Sequence, residues 1–139
     1  MGDYIRNPSD LLQVSEPWSS YGLELIRASR RGVHRSDFVH FIKLIKQSVQ
    51  TLSQVIPASY SSLSKKDIYD QETSERIYEI AQIYAIGKEV FGDIDRFNDW
   101  LTTNSIAMGG VTPFSLLDTS FGVDLIRKEI SRIDYGVFS

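Results

Sequence analysis

The residues whose types could do chemistry are few, and they are poorly placed for it. His34 and His40 are the only imidazoles, and a separation of six does not align them on one helix face. They are therefore not expected to hold a metal ion, and packing or solvent is the simpler fate of each. The sequence contains no cysteine, which excludes disulfides, thiolate nucleophiles and thiolate metal sites. Neither histidine stands near a serine in a glycine elbow, and no phosphate-cradling or dinucleotide-type glycine loop is present. Asp93, Asp95 and Asp99 are spaced as the cap and following residues of a helix, where the helix dipole favours negative charge. The expectation is a protein that is not an enzyme, with no catalytic residue, no metal ligand and no cofactor.

Charge is more informative than reactivity. Between Leu25 and Lys66 stand Arg27, Arg30, Arg31, Arg35, Lys43, Lys46, Lys65 and Lys66 against the single acid Asp37, a net +7. From Asp67 to Ser139 six basic residues face thirteen acids, a net −7, and residues 1–24 carry −3. An asymmetry of this kind points to a polyanion for the basic part and a different partner for the acidic part, unless the two parts simply attract each other.

The elements that position these charges read as helices throughout, an all-α fold. Residues 1–20 hold Pro8 and Pro17 and show no period, so an arm or loosely docked lead-in is expected. A helix over Gly22–Arg31 uses Leu23, Leu25 and Ile26 as apolar contacts and ends at Gly32. Ser36 is the expected cap of a second helix carrying Phe38, Phe41, Ile42 and Ile45. Ser48 caps a third with Val49, Leu52, Val55 and Ile56, and Ser59 caps a fourth over Tyr60–Lys66. Thr73 or Ser74 starts the longest helix, which runs to about Phe91 with two apolar stripes. One holds Ile77, Ile80, Ala81 and Tyr84, the other Ile83, Ile86 and Val90. Such a helix is a central strut, or buries its second stripe against another copy, and a homodimer is expected. No apolar run is long enough to span a bilayer, and no signal peptide or myristoylation signal is evident, so a cytoplasmic protein without membrane contact is expected.

Residues 48–66 have the dimensions of a helix-turn-helix, whose second helix would enter the major groove. Leu63, with or without Tyr60, would face the core. Ser61, Ser62 and Ser64 would approach bases or phosphates, and Lys65 and Lys66 would neutralise phosphates. A solvated serine-rich loop ending in two lysines would look the same in sequence. No Arg, Asn or Gln on the segment can read a base edge with two bonds.

Beyond Phe91 the punctuation is explicit. Gly92 ends a helix, Thr112-Pro113 opens one, and Gly136 ends the last. Phe97, Trp100 and Leu101 form one apolar group and Val123, Ile126, Ile130 and Ile133 another, both mainly core. Packing does not account for Tyr135, Val137 and Phe138 after the final cap. They either fold back on their own domain or anchor a partner, as aromatic hot spots do.

The ordered series F-G-D, W-L, G-G-x-T-P, L-L-D-T-x-x-G and R-I-x-x-G-V, from about Ser74 to Ser139, resembles the toxin-binding C-terminal domain of Xre/MbcA/ParS-type antitoxins of RES–Xre type II toxin–antitoxin pairs. Ser59–Lys66 is similar in frame to that family's S-x-R-T-L-x-R-R helix. Here, though, serine stands at 61, and lysines replace both terminal arginines, keeping charge but losing the planar forks. The resemblance implies an N-terminal arm (1–20), an Xre-like helix-turn-helix DNA-binding domain (21–70) and a small helical toxin-binding domain (71–139). It implies a RES-domain toxin that consumes NAD, neutralised by occlusion of its cleft, and operator DNA as a second partner. Expected DNA contacts are Tyr60, Ser61, Ser62, Ser64, Lys65 and Lys66. Expected toxin contacts are Trp100, Arg132, Asp134, Tyr135, Gly136, Val137, Phe138 and Ser139. The alternative is a stand-alone dimeric helix-turn-helix transcriptional regulator.

Overall fold

A computed structural model describes residues 5–13 and 21–136, and these are helical with no strand among them. Seven α-helices follow in order: α1 (Gly22–Arg31), α2 (Arg35–Leu44), α3 (Val49–Leu52), α4 (Tyr60–Lys65), α5 (Gln71–Phe91), α6 (Ile94–Leu101) and α7 (Ser120–Asp134). Short 3-10 turns cover Pro8–Gln13, Ile106–Met108 and Pro113–Asp118. No helix among the described residues is long and apolar enough to cross a membrane.

α5 is the strut around which the rest is built. It packs against α1, α6, α7 and the Pro8–Gln13 turn. Its first stripe is buried, Ile83 of the second is fully buried, and Ile86 and Val90 are half-buried within the same chain. The second stripe is thus covered largely by intramolecular packing, which satisfies it without another copy. Ile5 and Leu11 are each 1% exposed, so this part of the lead-in is firmly docked.

Helix ends follow local capping rules where a suitable side chain stands next to the helix. Ser48 Oγ accepts from Thr51 N–H, Ser59 Oγ from Ser62 N–H and Asp93 from Arg96 N–H. Two starts differ from the sequence expectation because distant groups intervene. α2 begins at Arg35 without a Ser36 cap, since Arg35 N–H donates to the Asp67 carbonyl at 2.9 Å. α5 begins at Gln71 and is capped by Asp70, whose carboxylate accepts from Thr73 N–H at 2.8 Å. The Ser74 hydroxyl is committed instead to Val33 N–H at 2.8 Å.

α3 is shorter than expected. Ser53 Oγ donates to the Gln50 carbonyl at 2.6 Å, and both Val55 and Ile56 N–H converge on the Leu52 carbonyl, so turns replace a further helical stretch. Val55 and Ile56 remain buried regardless. On α1, Leu23 is 67% and Ile26 46% exposed, so neither is the core contact expected, and Leu25 is half-buried. Both histidines are exposed.

Candidate functional site

α4 owes its position to one buried side chain and two distant donors. Leu63 is 1% exposed and anchors the helix. Tyr69 Oη donates to the Leu63 carbonyl at 2.5 Å, and Tyr69 packs edge-on against Phe38. Burial pushes the Tyr69 phenol up to about 12, with nearby Arg35 opposing the rise. At the C-terminal end, Arg35 Nη1 donates to the carbonyls of Ser64, Lys65 and Lys66 at 3.4, 2.6 and 3.4 Å. Those carbonyls lack helical partners, so a guanidinium there satisfies both hydrogen bonding and the dipole.

The outward residues of α4 are those expected to meet DNA, with one adjustment. Ser61, Ser64, Lys65 and Lys66 are exposed and Ser62 is half-buried. Tyr60 is 56% exposed rather than turned to the core, because Leu63 alone fills that contact. The basic stretch does not form one continuous face. Arg35 is used as a cap and pairs with Asp67 at 3.3 Å, and Lys46 pairs with Asp95 at 3.0 Å. Arg27, Arg30 and Arg31 belong to α1, which packs on α5 rather than on the α2–α3–α4 group.

The C-terminal third is held by close backbone approaches. A Cβ on Gly122 would stand 1.6 Å from the Leu116 carbonyl oxygen, so α7 and the Pro113–Asp118 turn meet there only through glycine. Trp100 is half-buried, its ring stacked on Phe97 at 5.9 Å and tilted against Phe91 at 5.4 Å. A loop closed by Ser105 N–H to the Val111 carbonyl at 3.0 Å leaves Ile106 96% exposed.

α7 has two distinct faces. Val123, Ile126 and Ile130 are buried, with Ile133 half-buried. The opposite face carries Phe121, Leu125, Lys128, Arg132 and Tyr135, at alternating four- and three-residue steps that keep them on one side of a helix. Phe121 is 90%, Leu125 46% and Tyr135 82% exposed. The cations between them are already neutralised, Lys128 by Asp124 at 3.1 Å and Arg132 by Glu129. A partner covering this ridge would meet apolar groups and paired charges, not lone ions that must be stripped of water.

Arg132 and Tyr135 lie together on this ridge; Asp134 borders a small groove with Ile86, Glu89 and Ile130. Gly136 follows with φ +66°, while Val137, Phe138 and Ser139 lie outside the described residues. Trp100 stands apart in the aromatic stack. Sequence reasoning missed Phe121 and Leu125, although their four-residue spacing opposite the core stripe could have revealed them.

The family of the antitoxin Xre/MbcA/ParS C-terminal toxin-binding domain matches residues 87–136. The chain is similar to a protein named Prs ADP-ribosylating antitoxin from Sphingobium sp. (strain YBL2), 26% identical over 84% of this chain and 82% of that one. It is also similar to proteins named Antitoxin Xre. The one from Yersinia enterocolitica is 28% identical over 87% of this chain and 85% of its own length. That from Photorhabdus laumondii is 32% identical over 58% and 56% respectively. The match to the toxin-binding domain falls on α5's last turn through α7, and the Sphingobium and Yersinia relatives align over most of the chain, so the chain is similar to the Xre/MbcA/ParS-type antitoxins.

Proposed function

We propose that this antitoxin neutralises an NAD-consuming RES-domain toxin by laying the end of α7 and the tail after it across the toxin's cleft. The observation that carries the reading is Tyr135, 82% exposed at the end of α7, within the stretch matched by the toxin-binding family. An exposed aromatic beside a helix end is inexpensive to bury in a partner's pocket, because its own core does not need it. The Sphingobium relative's name refers to ADP-ribosylation, a chemistry for which NAD is the ordinary donor, and this supports a toxin that uses NAD. The antitoxin's part is occlusion and needs no catalytic group of its own.

The same chain would regulate its own operon through α4. Ser61, Ser64, Lys65 and Lys66 are exposed in a helix held at both ends. Hydroxyls and ammonium groups favour phosphate contacts over base readout, so binding would depend strongly on salt. A homodimer would present two such helices to two half-sites.

The test is co-purification with the product of the neighbouring reading frame, comparing the full chain with one ending at Ile133. A stable complex lost on truncation supports occlusion by the tail. A complex that survives truncation moves the contact to the Phe121–Leu125 ridge or the Trp100 stack. No complex with the full chain overturns the assignment of this toxin partner and favours a stand-alone regulator.

A further inference from the structure

An open groove lies between α1 and α5, apart from both surfaces above. It encloses about 480 Å³ and is lined by Leu25, Ile26 and Tyr78 among others. Along its α1 rim, Leu23 and Ile26 are 67% and 46% exposed, in line with Arg27 and Arg30. A leucine and an isoleucine one turn apart beside an apolar-floored groove form a contiguous patch rather than scattered exposure.

The two walls of the groove differ in charge. Arg30 lines the α1 wall, with Arg27 exposed next to it on the same helix, and Glu75 lines the α5 wall, exposed. No ion pair joins Arg27 or Arg30 to a carboxylate among the described residues. Other nearby acids are occupied. Glu24 accepts from Ile5 N–H at 3.0 Å, and Glu79 is held by Arg76 at 2.8 Å and by the Ser120 hydroxyl at 2.8 Å.

We infer that this groove is the contact between two copies of the chain, with α1 of each copy seated against the α5 wall of the other. A two-fold axis requires one patch that complements itself, and a cationic wall beside an anionic wall around an apolar floor meets that requirement. Nucleic acid fits the groove less well, because Glu75 and Glu79 would face its phosphates. This assignment rests on the dimeric reading above and supplies its surface. Arg30 of one copy meets Glu75 of the other, and Leu23 and Ile26 pack across the axis.

The experiment is sedimentation equilibrium on the full chain with exposed positions reversed in charge. The unaltered protein should be a dimer. Arg30→Glu and Glu75→Arg should each weaken dimerisation by roughly tenfold or more, since each change acts twice across the axis. The combined Arg30→Glu/Glu75→Arg chain should recover to within about threefold. Leu23→Ser/Ile26→Ser should give a folded monomer, checked by circular dichroism. A monomeric unaltered chain overturns both the dimeric reading and this surface. A dimer indifferent to these changes, or a combined variant no better than either single one, overturns the surface and leaves the dimer to another face.

Discussion

The Arg35 guanidinium donates from Nη1 to the Lys65 carbonyl at 2.6 Å, closing α4 from thirty residues upstream. One of the eight cations in the basic stretch is thereby committed as a cap, although its side chain stays partly exposed. The cap also ties the start of α2 to the end of α4, because Arg35 N–H bonds the Asp67 carbonyl at 2.9 Å. The orientation of α4 therefore depends on a residue that contacts no partner. Charge counted along a sequence overstates the charge available to DNA whenever an arginine is used in this way.

Replacing Arg35 by alanine should cost about 1–2 kcal/mol of stability, read from urea unfolding, because charge-assisted bonds to helix-end carbonyls are lost. Arg35→Lys should recover only part, since lysine has a single nitrogen and cannot bond the α4 carbonyls as Nη1 does while pairing with Asp67 as Nη2 does. If α4 binds operator DNA, Lys65→Ala and Lys66→Ala should each lower the salt dependence of binding by about one ion, and Arg35→Ala should leave it unchanged. A lowered slope in the Arg35 variant would mean that this guanidinium leaves its cap to reach phosphate.

Alkaline pH should loosen the same region. Tyr69 is 3% exposed and its phenol is pushed up to about 12 by burial, and burial also pushes Tyr78 up to about 12. The unfolded phenol titrates near 10, so the folded chain holds the proton more tightly. The contribution is complete below pH ~10 and is lost as pH rises towards the folded value. Unfolding free energy should fall by up to about 1.4 kcal/mol per pH unit for each tyrosine in that window. Tyr69→Phe should begin less stable, having lost its bond to the Leu63 carbonyl, and should show a shallower decline. An unchanged slope in that variant would sink the assignment to Tyr69.

Caps were legible in the sequence wherever the rule is local. Ser48, Ser59, Asp93 and Thr112 each cap the helix or turn that follows them, and Gly92 and Gly136 take positive φ. The central role of α5 was legible from its two stripes. Illegible features depend on partners remote in sequence: the Asp67 carbonyl that starts α2, the Val33 amide that claims Ser74, and the Arg35 cap. Leu23 and Ile26 have the spacing of core residues, and only the placement of α5 shows them facing outward. Likewise α4 could be named as a candidate surface, while the α7 ridge required knowing which face the core stripe buries.

A small polar network should couple the two halves of the molecule. Gln47 Nε2 donates to Asn98 Oδ1 at 2.9 Å and to Tyr84 Oη at 3.2 Å, Tyr84 Oη donates to Asn98 Oδ1 at 2.5 Å, and Asn98 Nδ2 donates to the Ile45 carbonyl at 2.9 Å. Asn98→Ala should cost about 2–3 kcal/mol, because it leaves Gln47, Tyr84 and a carbonyl short of partners in a partly buried site. With Tyr84→Phe already present, the same change should cost about 1 kcal/mol less, since one of the orphaned groups is gone. Strict additivity in thermal or urea unfolding would show that the three groups act independently.

The ridge on α7 gives the opposite expectation, loss of binding without loss of stability. Phe121 is 90% and Leu125 46% exposed, on the face opposite the buried stripe. Phe121→Ser and Leu125→Ser should each change stability by no more than about 0.5 kcal/mol, because little apolar area leaves water when they fold. In a complex their burial would contribute, and a central aromatic lost from a packed contact commonly costs 2 kcal/mol or more, about thirtyfold in affinity. The paired charges beside them should contribute little, so Lys128→Ala should lie within about 1 kcal/mol of the unaltered chain. Titration calorimetry of each variant against the toxin separates these cases. Equal affinity for Phe121→Ser and the unaltered chain would confine the contact to the end of α7 and the tail.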